Sequence, residues 1–480
     1  MRLKILLSAF LLGSQLTLLA QNQINSSDTT KIILLSLNDQ HAKIDNYAQL
    51  KALVDKIRAD NKYVILLAGG DNFTGNPIVD QYNEKGYPII DLMNLTGFNA
   101  TAIGNHEFDY GQDILANRIK QAEFPFLNAN IKDASGNYKF KPYTIIHLNN
   151  KLRIAIISAI QLGSNGLPDS HPSNLKGLSF EDGIIALKNL NNLRDSSDIF
   201  VALTHMGFES DLELAKAMPE LNLIFGGHTH TLTKPAKVEN GVTIMQAGSG
   251  VRSLSKATVC LVNNKVVKII PEMLNISSYP ESDELIAKKL AVYNDNKELN
   301  RVIGTARQDI SGSNELGSLM TDAVTALDEI DIAFQNNGGI RLDYLKKGPV
   351  TVKDIYKLDP FGNEIILFRL TPAEIKSLIK NSYEKADKSI DLQVSGLTYT
   401  IIQGRNNKVK KVILKLDSGK KIKKDKLYNV GINSYIASSY IFDHKDSGRS
   451  IYLTTAQALI NYITKHEVVD YKGIQRTFIK

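Results

Sequence analysis

From Lys31 onward, short apolar runs alternate with stretches of helical periodicity. IILLSL (32–37), YVILLA (63–68), TAI before Gly104, RIAIISAI (153–160), IFVALT (199–204), LNLIF (221–225) and VTIMQA (242–247) predict buried strands. Between the first two, YAQLKALVDKI sets Tyr47, Leu50, Val54 and Ile57 on one helical face. Strands separated by helices predict a layered α/β domain.

Polar residues gather at one place in this pattern, directly after the apolar runs. Asp39 and His41 follow the first strand, Asp71 the second, and Asn105 and His106 the third. His205 follows VALT, and His228 and His230 follow LIFGG. Ligands of α/β folds collect at the carboxyl ends of strands. Five of the nine histidines stand in these positions, which random scatter does not explain.

Past residue 275 the motifs change. SSYPESDELIAKKLAVYNDNKELN has a Pro, then Ser282 and Asp283 as helix caps, and reads as a linker helix. The expected organisation is a leader at 1–20, an α/β domain at 30–275, a linker helix at 276–303 and a second α/β domain at 304–480. In the leader, Arg2 and Lys4 precede ILLSAFLLGSQLTLLA, which ends on the small Ala20. The run is shorter than the ~20 apolar residues of a membrane span, so a cleaved secretory signal is expected. Export to the periplasm or surface of a bacterium follows. The lone Cys260 excludes an intramolecular disulfide. At 43% hydrophobic and 22% charged, the 480 residues are ordinary for a globular protein, and the net charge of +7 fits a small anionic substrate or a weakly basic surface as well as it fits nucleic acid. The Lys-rich KVKKVILKLDSGKKIKKDK (408–426) lacks interleaved aromatics and predicts a β-hairpin about its DSG turn with a solvated basic face, not a nucleic-acid site.

The strand-end residues Asp39, His41, Asp71, Asn105, His205, His228 and His230 form an N/O ligand set without thiolate. Such a set suits Zn, Mn, Fe, Co or Ni. Seven ligands exceed one tetrahedral ion but serve two if a carboxylate bridges, and Asp71 is the candidate bridge. Two ions roughly 3.5–4 Å apart clamp the attacking and leaving oxygens of a displacement at phosphorus. In IGNHEFDYG (103–111), the amide of Asn105 is a neutral ligand that adds no charge against a phosphate. Asp109, three positions after His106, can fix that imidazole's tautomer and favour its cationic form. Glu107 is expected to be structural, and Gly104 to allow a sharp turn.

NDQH (38–41), GGD (69–71), GNHEFD (104–109), THMG (204–207) and GGHTH (226–230) resemble the successive motifs of calcineurin-like metallophosphoesterases. With its second half, the chain is similar to the 5'-nucleotidase family, which includes periplasmic UDP-sugar hydrolases. The resemblance implies a four-layer α-β-β-α metallophosphoesterase domain joined by the linker helix to a C-terminal substrate-binding domain. It implies that Asp39, His41 and His230 hold one divalent ion and Asn105, His205 and His228 a second, with Asp71 shared. His106 would face the phosphoryl group, oriented by Asp109, while a metal-activated water attacks phosphorus.

QNNGGIR (335–341) and DPFGNE (359–364) resemble the nucleoside-binding segments of the same family. Phe361 would stack a base, with Asn336, Gly339 and Arg341 around it. A second aromatic is expected from NSYIASSYIFDH (433–444), as Tyr440 or Phe442, and Arg307 is the nearest upstream phosphate candidate. The implied activity is phosphate release from nucleoside 5'-monophosphates. The alternatives are a 2',3'-cyclic phosphodiesterase with 3'-nucleotidase activity, a UDP-sugar hydrolase, or a nucleotide-binding protein without turnover. The expected partner is a small nucleotide.

Overall fold

The computed structural model describes residues 29–148, 152–163 and 165–480. The leader expected at 1–20 lies outside the described residues. Two six-stranded sheets form the first domain. In one, Thr29–Leu37, Val64–Ala68, Ala100–Ala102 and Phe126–Leu127 run parallel, and the long hairpin Ser253–Val262/Lys265–Asn275 closes its edge. In the other, Leu152–Ile157, Ile199–Leu203, Leu223–Phe225 and Val242–Met245 are parallel.

Side chains alternate across each strand, so these apolar runs fill two cores at once. Ile32, Leu34, Ile65 and Leu67 of the first sheet pack with Ile154, Ile156, Val201, Leu203 and Phe225 of the second. The opposite face of the first sheet, with Ile33, Leu35 and Leu66, is covered by helix Tyr47–Asp60, whose Tyr47, Leu50, Val54 and Ile57 are all buried. Ala155, Phe200, Ala202 and Ile224 on the outer face of the second sheet meet helices Gly183–Lys188 and Phe208–Ala217. The order of layers is therefore α-β-β-α.

The second domain is built on a mixed five-stranded sheet, in the order Leu392–Ser395, Ile332–Asn336, Tyr428–Asn433, Glu364–Leu370, Arg449–Thr454. Helix Pro372–Lys385 packs on one face, against Ile332, Phe334 and Phe368. Between the domains, helix Glu284–Asn294 is capped by Asp283, which accepts from the Ile286 N–H at 2.9 Å. Its Lys289 and Tyr293 both reach Asp91 of the first domain, at 2.7 and 2.6 Å. Its Ile286 and Tyr293 belong to an apolar cluster that runs on to Leu316, Leu319 and Leu459 of the second domain.

The hairpin expected about the DSG turn of 408–426 is not formed. Val409–Leu416 instead pairs antiparallel with the preceding strand Leu397–Gln403. The left-handed backbone needed at that turn is supplied by Asn406 and Asn407, a residue type that tolerates it. After Asp417 the lysines leave no alternating apolar face to build a second strand.

Leu34 is fully buried between the two sheets. Leu34→Ala is expected to lower stability by about 3 kcal/mol, a value usual for a fully buried leucine. Urea denaturation followed by circular dichroism checks this; a loss under about 1 kcal/mol would mean that the sheets do not share this core.

Candidate metal centre and active-site cleft

Parallel strands end on one edge, so the loops after Leu37, Ala68, Ala102, Leu203 and Phe225 converge there from both sheets. Backbone bonds lace these loops together. Asp39 N–H donates to Gly70 O (3.1 Å), His41 N–H to Asp71 O (2.9 Å) and Ala42 N–H to Asn72 O (2.9 Å). Asp39, His41, Asp71, His228 and His230 all have positive φ, between 47° and 80°. That conformation is sparsely populated by non-glycine residues and costs on the order of 1 kcal/mol or more each, so the surroundings must enforce it.

Glu107 is the principal enforcer. Its buried carboxylate accepts from the N–H groups of Asp71 (3.0 Å), Asn72 (2.6 Å) and Gly104 (2.7 Å). A Cβ on Gly104 would lie 2.2 Å from Asp71 Oδ1, so close approach, not an unusual φ, requires glycine there. The sharp turn expected of Gly104 is thus corrected. Asn38 has a similar role. Its amide nitrogen donates to Asp39 Oδ2 (2.6 Å) and Gly248 O (2.7 Å), and its oxygen accepts from Ala247 N–H (2.6 Å).

The seven strand-end residues then meet. Asp71 Oδ1 accepts from His106 N–H at 2.9 Å, and Oδ2 lies 3.0 Å from His205 Nε2 and 4.0 Å from His41 Nε2. Asp39 Oδ1 lies 3.5 Å from His230 Nε2 and 4.0 Å from His205 Nε2. His41 and His230 approach through their Nε2 atoms at 2.9 Å. Asn105 Nδ2 donates to Asp169 O (3.0 Å), which turns Oδ1 toward His228 Nδ1 at 3.2 Å.

This donor set fits divalent ions. His205 Nδ1 is tied to Gly69 O at 2.7 Å, while its fully buried Nε2 makes no hydrogen bond, lying beside Asp71 without the angle for one. A histidine anchored at one nitrogen with the other aimed at buried carboxylates is the usual posture of a metal ligand. His41 repeats it, with Nδ1 on Thr74 O at 3.2 Å. Burial pushes His41 well below the ordinary imidazole range, His228 down to about 3 and His230 down to about 4, which keeps these rings neutral. Burial raises Asp39 to about 6. Burial also opposes charge on Asp71, but the neighbouring His205 and His106 outweigh it and hold that carboxyl well below its usual range. His205 is pushed up to about 10 by Asp71, against its own burial.

His106 Nδ1 bonds Asp109 Oδ2 at 2.6 Å. The charges of Asp109 and Asp71 raise His106 in spite of its burial. Its ring stacks on Phe361 of the second domain, with centroids 5.8 Å apart and planes at 20°. Both line a cleft of about 960 Å³ between the domains. Asn336, Gly339, Arg341, Phe361 and Tyr440 form its far wall, facing Asp71, Asn105, His106, Asp109, His228 and His230. The Arg341 guanidinium lies 5.6 Å from the Phe361 ring centre.

Two expected residues are elsewhere. Phe442 is buried against Phe368 and His444, because the domain core takes its ring. Arg307 is exposed, beside Asp470 at 3.9 Å, because it follows strand Val302–Ala306, which lies in a different sheet from the cleft wall. Sequence reasoning passed over Tyr435, Lys385, Asp391 and Asp169, which also line the cleft. Tyr440 OH bonds Asp391 at 2.5 Å, and Lys385 Nζ lies 4.3 Å above the Tyr440 ring. No local pattern marks these residues, since about fifty positions separate Asp391 from Tyr440.

A layered α/β fold with carboxylates, imidazoles and an amide at its strand ends defines a metal-dependent phosphoesterase. The calcineurin-like phosphoesterase model matches residues 33–232, and the model of the 5'-nucleotidase C-terminal domain matches residues 295–440. The chain belongs to the 5'-nucleotidase family, which joins these two domains. It is 27% identical over 535 residues to a 5'-nucleotidase of Vibrio cholerae, covering 93% of each. It is 26% identical to the trifunctional nucleotide phosphoesterase protein YfkN of Bacillus subtilis, with 85% of this chain matched, but it spans only 32% of that longer protein. The crystal structure of a 5'-nucleotidase precursor from Thermus thermophilus superposes with a TM-score of 0.81 at 25% identity, covering 94% of this chain and 99% of that one. No helix among the described residues is long and apolar enough to cross a membrane.

Two outcomes are expected. A divalent ion must displace the proton that His205 holds up to a pKa of about 10 and the one that Asp39 holds up to about 6. Metal affinity should therefore rise with pH, by up to about tenfold per unit for each proton released. Calorimetric titration with Mn²⁺ at several pH values, in buffers of different ionisation enthalpy, reads this directly; a pH-independent affinity would refute it. Glu107→Ala strands three buried N–H groups and should cost about 3 kcal/mol or more. Denaturation of that variant should also show weakened metal protection, and an unchanged midpoint would remove Glu107 from the role described.

Proposed function

We propose that the chain is an exported phosphohydrolase that releases phosphate from nucleoside 5'-monophosphates and related nucleotides, with two divalent ions at the strand ends. The observation that carries the substrate class is the stack of Phe361 on His106 across the domain boundary. It sets an aromatic platform beside an imidazole whose cationic form the Asp109 carboxylate favours. Stacking of a base on such a ring is worth roughly 1–3 kcal/mol and tolerates different bases.

Asp39, His41 and His230 would hold one ion and Asn105, His205 and His228 the other, with Asp71 reaching both. Bound there, the ions would supply a water deprotonated near neutral pH and positive charge for the phosphoryl oxygens. The rest is done by this chain's own side chains. His106, fixed at Nδ1 by Asp109, turns Nε2 toward the cleft and offers charge or a proton to the phosphoryl or leaving oxygen. Arg341 lines the cleft without a carboxylate partner among the described residues, so its guanidinium is free for a phosphate. Asn336 and Gly339 border the nucleoside side. Asp391 and Lys385 hold Tyr440 as the second aromatic wall. Export rests on the leader pattern of residues 1–20.

The test is phosphate release by the chain from about Gln21 onward, with Mn²⁺, from AMP, 3'-AMP, 2',3'-cyclic AMP and UDP-glucose side by side. The last three belong in the panel because a cleft of about 960 Å³ can take more than a monophosphate. AMP should be preferred. His106→Asn should lower kcat by about 10²–10⁴-fold with metal content unchanged. Phe361→Ala should chiefly raise KM, by about tenfold. Two bound metals with no release from any nucleotide would preserve the centre and overturn the substrate reading.

A further inference from the structure

Residues 405–426 contain ten Lys and Arg against two Asp, a net of +8 where the whole chain has +7. The other 458 residues are together close to neutral. All ten basic side chains are exposed, and none forms an ion pair among the described residues. They lie on, and in the loops either side of, strand Val409–Leu416 of a small sheet apart from the cleft, in which Leu397–Gln403 is flanked by Val409–Leu416 and Thr477–Ile479.

One face of this sheet is core: Tyr399, Ile401, Val412 and Leu414 are buried. The register sets the other face outward. There Ile413, Thr400 and Phe478 form one cross-strand row, flanked by the pairs Lys415–Thr398 and Lys411–Ile402. Phe478 is 37% exposed, and Leu427 at the end of the basic loop is 41% exposed. Protection of an edge strand against pairing accounts for lysines on Val409–Leu416. It does not account for Lys420, Lys421, Lys423 and Lys424, which follow the strand in a loop.

We propose that this outward sheet face, with the 417–427 loop, docks the protein on an anionic phospholipid bilayer. An apolar centre of Ile402, Ile413 and Phe478 rimmed by lysines is the composition of a surface that lies in the headgroup region. Nine of the ten cations are lysines, point charges that suit a diffuse headgroup layer, whereas arginine dominates bidentate phosphate recognition. The face is a sheet surface without the row of exposed aromatics on which single-stranded nucleic acid stacks. Each lysine near such a membrane contributes about fivefold in affinity. The inference is independent of the reading of the cleft.

The test is flotation of the chain from about Gln21 with phosphatidylcholine vesicles, with and without phosphatidylglycerol, at about 0.05 M and about 0.5 M salt. Binding is expected only with phosphatidylglycerol and only at low salt. Reversal of the four loop charges (Lys420→Glu, Lys421→Glu, Lys423→Glu, Lys424→Glu) should weaken partitioning at least tenfold, with circular dichroism and melting unchanged. Phe478→Ser should weaken it several-fold through the apolar centre. Equal binding to neutral vesicles, undiminished flotation of the charge-reversed chain, or no effect of Phe478→Ser would each overturn the proposal. So would a single-stranded oligonucleotide that strips the protein from lipid below the lipid phosphate concentration, which would make nucleic acid the partner.

Discussion

The metal centre depends on a carboxylate that touches no candidate ligand side chain. Glu107 gathers the N–H groups of Asp71, Asn72 and Gly104, and so holds the second and third strand-end loops against each other. Around it a buried polar network is completed by Asn72, which bonds Gln40 and Thr101, and by Tyr47, which bonds Gln40. Interior polar groups contribute only when every member is satisfied, and here each of these finds a partner. The result is five candidate ligand residues kept at positive φ, a conformation that non-glycine residues seldom adopt without such support.

The same edge of the molecule concentrates opposing electrostatic demands. Asp39 and Asp71 are buried beside the buried imidazoles of His41 and His205, with the more exposed His230 next to them. Burial neutralises His41, His228 and His230, while Asp71 keeps His205 charged. A divalent cation held by these groups would relieve this conflict by taking the place of the proton on His205. His106 is set apart: it lines the cleft, and Asp109 at 2.6 Å favours its charged form against the effect of burial.

The cleft exists because the two domains share apolar contacts. Helix Glu284–Asn294 anchors to Asp91, and its Ile286 and Tyr293 belong to the same continuous apolar cluster as Leu316, Leu319 and Leu459; Phe361 of the second domain stands over His106. The candidate ligands and His106 thus come from the strand ends of one domain, and Asn336, Arg341, Phe361 and Tyr440 on the cleft wall from the other. Within the second domain, Tyr440 owes its position to Asp391 and Lys385 rather than to any neighbour in sequence.

Much of this was written locally. Runs such as IILLSL and VILLA bury both faces, and a parallel sheet carries all its strand ends to one edge, so the polar residues following each run had to meet. The layers, the helix at 47–60 and the convergence of Asp39, His41, Asp71, Asn105, His205, His228 and His230 were legible for that reason. Other features depended on groups distant in sequence. Whether Gly104 serves a turn or a close approach was decided by Asp71 beside it in space. Tyr440 and Phe442 are two residues apart and chemically alike; only the packing of Phe368 drew one into the core and left the other on the cleft wall. The basic segment joined the strand before it because two asparagines could adopt the left-handed turn there. Periodicity reports which face of an element is buried, but it carries no information about which distant element will cover that face.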